Sequence, residues 1–219
     1  RVPSRYRRAR LLPLLLLALL GLALWRTQPA PAPGFAAVAG RPGSEAVLLD
    51  RQGRELARRR TDPATRRLDW VALGAISPDL VARLIKAEDQ RFAAHGGVDW
   101  RAVIASARRG GGASTISMQL AALIDPALGT AGRRSLRQKL AQMRAARAIE
   151  ARWTKAQILE AWANLVPFRG DLVGVAAAAQ ALAGRQPAAL APAENAVLAA
   201  LVRRPSAAPA AVARRACAG

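Results

Sequence analysis

Residues 77–99 read SPDLVARLIKAEDQRFAAHGGVD, and their spacing decides the fold class. Ser77 suits an N-cap, because its hydroxyl can accept from a backbone N–H one turn on. Pro78 suits the first helical position, where its missing N–H has no partner to lose. Leu80, Val81, Leu84 and Ile85 then follow helical spacing, which predicts a helix through Phe92 with one apolar face. Glu88 falls seven residues after Val81 and four after Leu84, so it points with that face. A carboxylate held among apolar side chains is poorly hydrated, which makes its ionised form a better base. A lone glutamate in such a place is usually a structural group paired with arginine. Here, however, Asp89, Arg91, Phe92, His95, Gly97 and Asp99 crowd the same helix end and the turn after it. His95, taken alone, reads as a structural hydrogen-bonding histidine.

The pattern stays helical downstream. Asp99 can cap a helix over Trp100–Arg109, stopped by Gly110, Gly111 and Gly112. Ser114 is the expected cap of a third helix toward Ile124, ended by Asp125 and Pro126. Ser135 opens a long one to about Trp153, and Thr154 with Gln157 forms a capping box for the next. Residues 174–183 and 192–203 complete the set, with Gly184 and Pro205 as stops. Upstream, residues 45–50 and 54–60 are extended around turn residues 51–53, which predicts a small hairpin. No repeat period appears. The expected class is mainly α with a minor β element.

The N-terminus has a different character. Arg1, Arg5, Arg7, Arg8 and Arg10 precede an uncharged apolar run, Leu11 to Trp25, the order of a basic cytoplasmic tail followed by membrane. The run is shorter than the roughly 20 residues that span a bilayer without strain, although flanking arginines can snorkel. We read residues 1–10 as the tail and 11–27 as a single-pass signal anchor, with a cleaved signal peptide as the other reading. The Pro/Ala-rich residues 28–44 read as a stiff linker, 45–205 as the domain, and 206–219 as an Ala-rich tail or the start of a further domain. Everything after Trp25 is then expected outside the cytoplasm.

With 34 Lys+Arg against 14 Asp+Glu, the net charge of +20 suits phosphate, nucleic acid or an anionic lipid surface alike. An exported domain would not meet nucleic acid, so no nucleic-acid partner is expected. One cysteine, Cys217, excludes an intrachain disulfide and a cysteine-based metal site, and one histidine excludes a zinc-protease pair. Residues 110–119, GGGASTISMQ, place glycines and hydroxyls before an apolar helix, where free N–H groups could hold a phosphate or a developing oxyanion; a flexible loop and capped helix is the alternative. The cations Arg133, Arg134, Arg137, Lys139, Arg144, Arg147 and Arg152 could hold pyrophosphate or form a solvated helix face.

Taken together, these segments resemble the glycosyltransferase domain of the bifunctional penicillin-binding proteins, most nearly the penicillin-binding protein 1C group. The resemblance covers roughly residues 45–205 in the family's motif order. It rests on Glu88-Asp-Gln-Arg-Phe92 with His95, Gly97 and Asp99; on residues 112–119, ending Met-Gln; on residues 154–160 with Asn164 and 167–170; and on Leu190, Glu194, Ala196, Leu198, Ala199 and Pro205. It implies a lysozyme-like helical domain with a small N-terminal β element, preceded by one transmembrane helix. The implied reaction is polymerisation of lipid II: Glu88 is the base toward the 4-hydroxyl of the acceptor N-acetylglucosamine, which attacks C1 of the donor N-acetylmuramic acid with inversion, and undecaprenyl diphosphate leaves. Implied substrate-binding residues are Asp89, Arg91, Phe92, His95, Ser114, Thr115, Gln119, Arg134, Lys139, Gln142 and Asn164. Implied partners are lipid II, the nascent glycan strand, the inner membrane from its periplasmic side and other cell-wall synthesis proteins. The sequence requires no cofactor and encodes no metal site, while the resemblance allows a magnesium or manganese ion with the diphosphate.

Two positions depart from the family pattern. Gln142 stands where many relatives carry a second glutamate, as the 1C group also tolerates, and Ala122 stands where a basic residue usually ends the second motif. Losing that cation would weaken diphosphate binding by about 1 to 3 kcal/mol. These departures define an alternative, a catalytically weakened lipid II-binding scaffold of the same fold. A lysozyme-like hydrolase using Glu88 is a further alternative, but it would not carry this motif series.

Overall fold

The structure, a computed structural model, describes residues 17–22, 31–109, 112–129 and 136–218, with backbone alone for 107–109. In chain order the helices are α1 (Phe35–Ala39), α2 (Pro78–Glu88), α3 (Trp100–Arg109), α4 (Ile116–Ile124), α5 (Leu136–Glu150), α6 (Lys155–Leu165), α7 (Gly174–Ala183), α8 (Pro192–Val202) and α9 (Pro209–Cys217). The strands are β1 (Glu45–Leu49), β2 (Glu55–Arg60), β3 (Arg66–Arg67) and β4 (Leu172–Val173).

Helix α6 sits at the centre. The expected capping box starts it: Thr154 accepts from the N–H of Gln157, whose side chain accepts from the N–H of Thr154. Ile158, Leu159, Ala161, Trp162, Ala163 and Leu165 are all buried, so this helix is apolar nearly all round and is enclosed by α1, α4, α5 and α7. Each fully buried leucine or isoleucine there contributes about 1.5 to 3 kcal/mol.

Helix α2 is fastened to α8 at its N-terminus. Ser77 accepts from the N–H of Leu80, as its cap role requires, and also from Asn195 Nδ2 of α8 at 3.0 Å. Asp79 in the first turn accepts from Arg83 Nε at 3.0 Å and from Asn195 Nδ2 at 2.9 Å. The Arg83 bond first, and the Asn195 bond second, hold the Asp79 carboxyl below its ordinary value of 3.8. A carboxylate lowered in the folded state contributes stability that is full above its unfolded value and is lost as pH falls below it. Asp79→Asn should therefore show a shallower loss of stability than the parent below about pH 4, read as urea midpoints across an acid pH series.

The hairpin of β1 and β2 is antiparallel, with Glu45 opposite Arg60, as residues 45–60 predict. Several expectations are corrected. The first helix stops at Glu88 rather than Phe92, because the backbone at Asp89 leaves helical geometry (φ −158°, ψ 73°) and its side chain is recruited by other elements; Phe92 opens a 3-10 turn. Thr115, not Ser114, caps α4. The long helix ends at Glu150 rather than near Trp153, and Ser135, its expected cap, lies outside the described residues. The chain after the hairpin is not wholly helical, since β3 and β4 pair in parallel.

The supposed linker also folds onto the domain over its described part. Phe35 of α1 meets Trp70 and Trp153 edge-on, Val38 is buried, and Trp153 Nε1 donates to the carbonyl of Pro33 at 3.0 Å. Within residues 206–219, read as an Ala-rich tail or the start of a further domain, residues 209–217 form α9; Val212 is buried and Arg215 donates to the carbonyl of Ala200 at 3.1 Å. Of the expected anchor, only residues 17–22 are described; they are helical, with Leu20 packed on Val98, Met118, Met143 and Ala146. Among the described residues no helix is long and apolar enough to cross a membrane.

Candidate active site

The end of α2 is held by its neighbour in sequence. Asp89 is buried, and His95 Nε2 lies 3.0 Å from both its oxygens, so Nε2 carries the proton and donates. Asp89 also accepts from the N–H of Ile116 at 3.0 Å, which ties the end of α2 to the start of α4. Thr115 closes the same junction: its hydroxyl donates to the carbonyl of Gly97 at 2.6 Å and accepts from the N–H of Met118. Gly97 has φ +93°, and a Cβ there would lie 2.9 Å from the backbone carbonyl of Ala146 in α5. Only glycine lets this turn approach α5 so closely.

Below the turn, Lys155 Nζ donates to the carbonyl of His95 at 2.6 Å and to Glu150 Oε1 at 2.7 Å, and it stands 4.4 Å over the Phe92 ring. Ser117 donates to the same Glu150 oxygen. The segment from Asp89 to Asp99 is therefore pinned by α4, α5 and α6.

On this frame Glu88 projects from the last position of α2 with its side chain 13% exposed. Its Oε2 accepts from Gln119 Nε2 at 2.9 Å, while its Oε1 is buried without a hydrogen-bond partner. Gln119 is oriented from behind: Trp162 Nε1, a donor only, reaches Gln119 Oε1 at 3.1 Å. That bond fixes which end of the amide is carbonyl, and so presents the NH2 group to Glu88.

Glu88 opens onto a groove of about 390 Å³ bordered by Arg91, Asp99, Arg101, Gly112 and Ser114. Asp99 caps α3, accepting from the N–H of Arg101 and of Ala102, and its other oxygen stands 3.7 Å from Arg91 Nε. Lys139 Nζ of α5 donates to Ser114 Oγ at 2.6 Å, which brings a cation to the hydroxyl-bearing wall. The groove thus combines one poorly hydrated carboxylate with arginines, a lysine-bound hydroxyl and a glycine-bearing segment.

Nine of the expected site residues divide into two groups. Glu88, Arg91, Ser114, Gln119 and Lys139 are brought to the groove or onto the carboxylate. Asp89, Phe92, His95 and Thr115 are buried or nearly so and hold the frame, with Asp89 and Thr115 also lining the groove. Gln142 is 1% exposed and donates to the carbonyl of Leu128, because its position on α5 turns inward toward that turn. Asn164 is 4% exposed; its amide accepts from the N–H of Val71 and donates to the carbonyls of Val71 and Glu160, clamping the segment before α2 onto α6. Neither of these two side chains is available to a groove ligand. Arg134 lies outside the described residues. Trp162 and Arg203 were missed: each meets the site across a long sequence separation, with no local pattern to announce it.

The sequence model of the family described as transglycosylase matches residues 52–218. The chain belongs to the transglycosylase family. The match runs through α9, in keeping with the packing of that helix on α8. The chain is 40% identical over 144 residues to a biosynthetic peptidoglycan transglycosylase of Rhodospirillum centenum, covering 62% of this chain and 60% of that one. A protein of the same name from Pasteurella multocida is 35% identical over 142 residues, covering 62% and 56%. Penicillin-binding protein 1C of Escherichia coli is 36% identical over 143 residues, covering 62% of this chain and 18% of that protein. The match therefore spans about 60% of the biosynthetic transglycosylases and a smaller part of the penicillin-binding protein.

Proposed function

We propose that this chain is a peptidoglycan glycosyltransferase that joins lipid II units into glycan strands, with Glu88 as the general base. The observation that carries the reading is the state of that carboxylate: one oxygen is fixed by Gln119, and the other is buried, without a hydrogen-bond partner and beside a cation-bearing groove. A base must stand within hydrogen-bond reach of the proton it takes, and a bare oxygen is the free acceptor that such a step needs. Oε1 takes the proton of the acceptor 4-hydroxyl as O4 bonds to C1 of the donor. The bond from C1 to the diphosphate oxygen breaks, its electron pair leaves with undecaprenyl diphosphate, and the anomeric centre inverts. The groove end formed by Ser114 and Lys139, with Arg91 and Arg101, is assigned to the diphosphate, whose negative charge grows as the bond breaks.

A magnesium or manganese ion is not assigned to protein ligands. The oxygens of Asp89 are taken by His95 and Ile116, and those of Asp99 by the start of α3 and Arg91, so these carboxylates do not fit a metal centre and no step is routed through one. The names of the biosynthetic peptidoglycan transglycosylases support peptidoglycan as the product. Basic residues before the apolar run support an inner-membrane anchor with the domain on the periplasmic side, where lipid II, the growing strand and other cell-wall proteins would be met.

The test is purified chain with labelled lipid II, product strands resolved on a gel and released undecaprenyl diphosphate measured. Release of soluble muropeptides from purified sacculi, without polymer formation, would replace this reading by hydrolysis. A second measurement addresses Gln119. Gln119→Met keeps the volume but removes the amide that holds Oε2, so kcat is expected to fall about 10-fold with KM within a factor of three, as for an interaction that matters more in the transition state than in the bound substrate.

A further inference from the structure

The bare oxygen of Glu88 has a charged neighbour at the end of another helix. Arg203 lies just past the end of α8, and its Nε stands 3.9 Å from Glu88 Oε1. The distance is too long for a hydrogen bond, so the attraction is one of charge through space. The pair is asymmetric: the Arg203 side chain is 61% exposed and that of Glu88 13%. The cation therefore keeps its water and can move, while the carboxylate can do neither. Arg203 also borders a second groove of about 280 Å³, with Arg83, Lys86 and Arg215, between α2, α8 and α9. Gln90 borders both grooves, so the two adjoin next to the carboxylate.

We propose that Arg203 is a positioning residue for Glu88, holding Oε1 in its catalytic orientation in the empty site and giving it up to the incoming acceptor hydroxyl. A buried carboxylate oxygen with no donor is costly, and it keeps one orientation only when something nearby favours that orientation. Gln119 secures Oε2, but a single bond leaves the carboxylate free to turn about it. Arg203 supplies the second point. Because the guanidinium is held by charge alone, no donor has to be stripped from Oε1 before the substrate binds. Among the described residues beside it, Asp89 is engaged by His95 and Ile116, and Arg91 faces Asp99. An arginine at a helix C-terminus also complements the helix dipole, but that role would be expressed in stability and not in turnover.

The inference rests on Glu88 being the base, and the experiment separates the two. Arg203→Ala and Arg203→Lys are compared with the parent for lipid II polymerisation and melting temperature, and a crystal structure of Arg203→Ala is determined. In Arg203→Ala we expect kcat to fall about 10- to 100-fold with KM within a factor of three, Arg203→Lys to recover most of the loss, and millimolar guanidinium, but not urea, to restore part of the rate. The crystal structure is expected to show the carboxylate turned so that Oε1 leaves its buried place. Arg203→Ala turning over within a factor of two of the parent, or a loss that neither lysine nor guanidinium relieves, overturns the proposal. A parent chain that makes no polymer counts against Glu88 as base, and the orientation of Glu88 in the Arg203→Ala crystal structure then decides the positioning role alone.

Discussion

Glu88→Gln is expected to lower lipid II polymerisation by about 10²- to 10⁴-fold, the range over which a positioned general base acts. The substitution is nearly isosteric, and the glutamine carbonyl can still accept from Gln119 Nε2, which itself remains held by Trp162. What is lost is the proposed proton acceptor. The new NH2 group takes the place of Oε1 and presents donors where the acceptor hydroxyl needs a lone pair. Because the Asp89, His95 and Ile116 junction does not pass through the Glu88 side chain, the fold should be unaffected, and the melting temperature should stay within about 2 °C of the parent. Initial rates from labelled lipid II, with thermal unfolding of the same preparations, give both numbers. Equal rates for the two proteins would remove Glu88 from the chemistry.

Much of this site was legible because its most informative signal is local. Leu80, Leu84 and Glu88 lie on one face by helical spacing alone, and the capping box at Thr154 and Gln157 needs no partner outside its own turn. Where the reading went astray, two local solutions were nearly equal or the deciding partner was distant. Ser114 and Thr115 are adjacent hydroxyls, and either could cap α4; Thr115 does so because its hydroxyl also reaches the carbonyl of Gly97, while Ser114 accepts from Lys139. Phe35 looked like one aromatic in a Pro/Ala-rich stretch. Its partners, Trp70 and Trp153, are remote in sequence, so composition alone reads the stretch as a linker.

Gln142 is a different case. Spacing from Glu150 puts it at the motif position where many relatives carry a glutamate, but the rotation of α5 sends its amide to Leu128. Motif position gives the residue and not the direction in which it points. The parallel pairing of β3 with β4 was beyond reach for a related reason. Each strand is two residues long, too short for alternation to show, and the pairing joins Arg66 to Leu172 across most of the domain.

Gly174→Ala is expected to have the largest effect on stability. Gly174 begins α7 with φ +82°, and a Cβ there would lie 2.5 Å from the carbonyl oxygen of Asn164, a backbone atom of the central helix. The left-handed conformation alone costs a non-glycine residue about 1 to 2 kcal/mol, and overpacking against an atom that cannot yield adds about 1 to 3 kcal/mol. A loss of roughly 2 to 5 kcal/mol is a large share of the roughly 5 to 15 kcal/mol that holds a typical domain folded. Relief would require α7 to move away from α6. That would disturb Asn164, whose side chain clamps Val71 at the approach to α2, and with it the placement of Glu88. Gly184→Ala isolates the conformational part: Gly184, at the other end of the same helix, has φ +64° with nothing within 4 Å of an added Cβ, so about 1 to 2 kcal/mol is expected there. Urea unfolding of the two variants beside the parent should show Gly174→Ala destabilised by at least twice as much. Equal losses would mean that α7 shifts freely against Asn164, and that the path from this helix to the Glu88 carboxylate is slack.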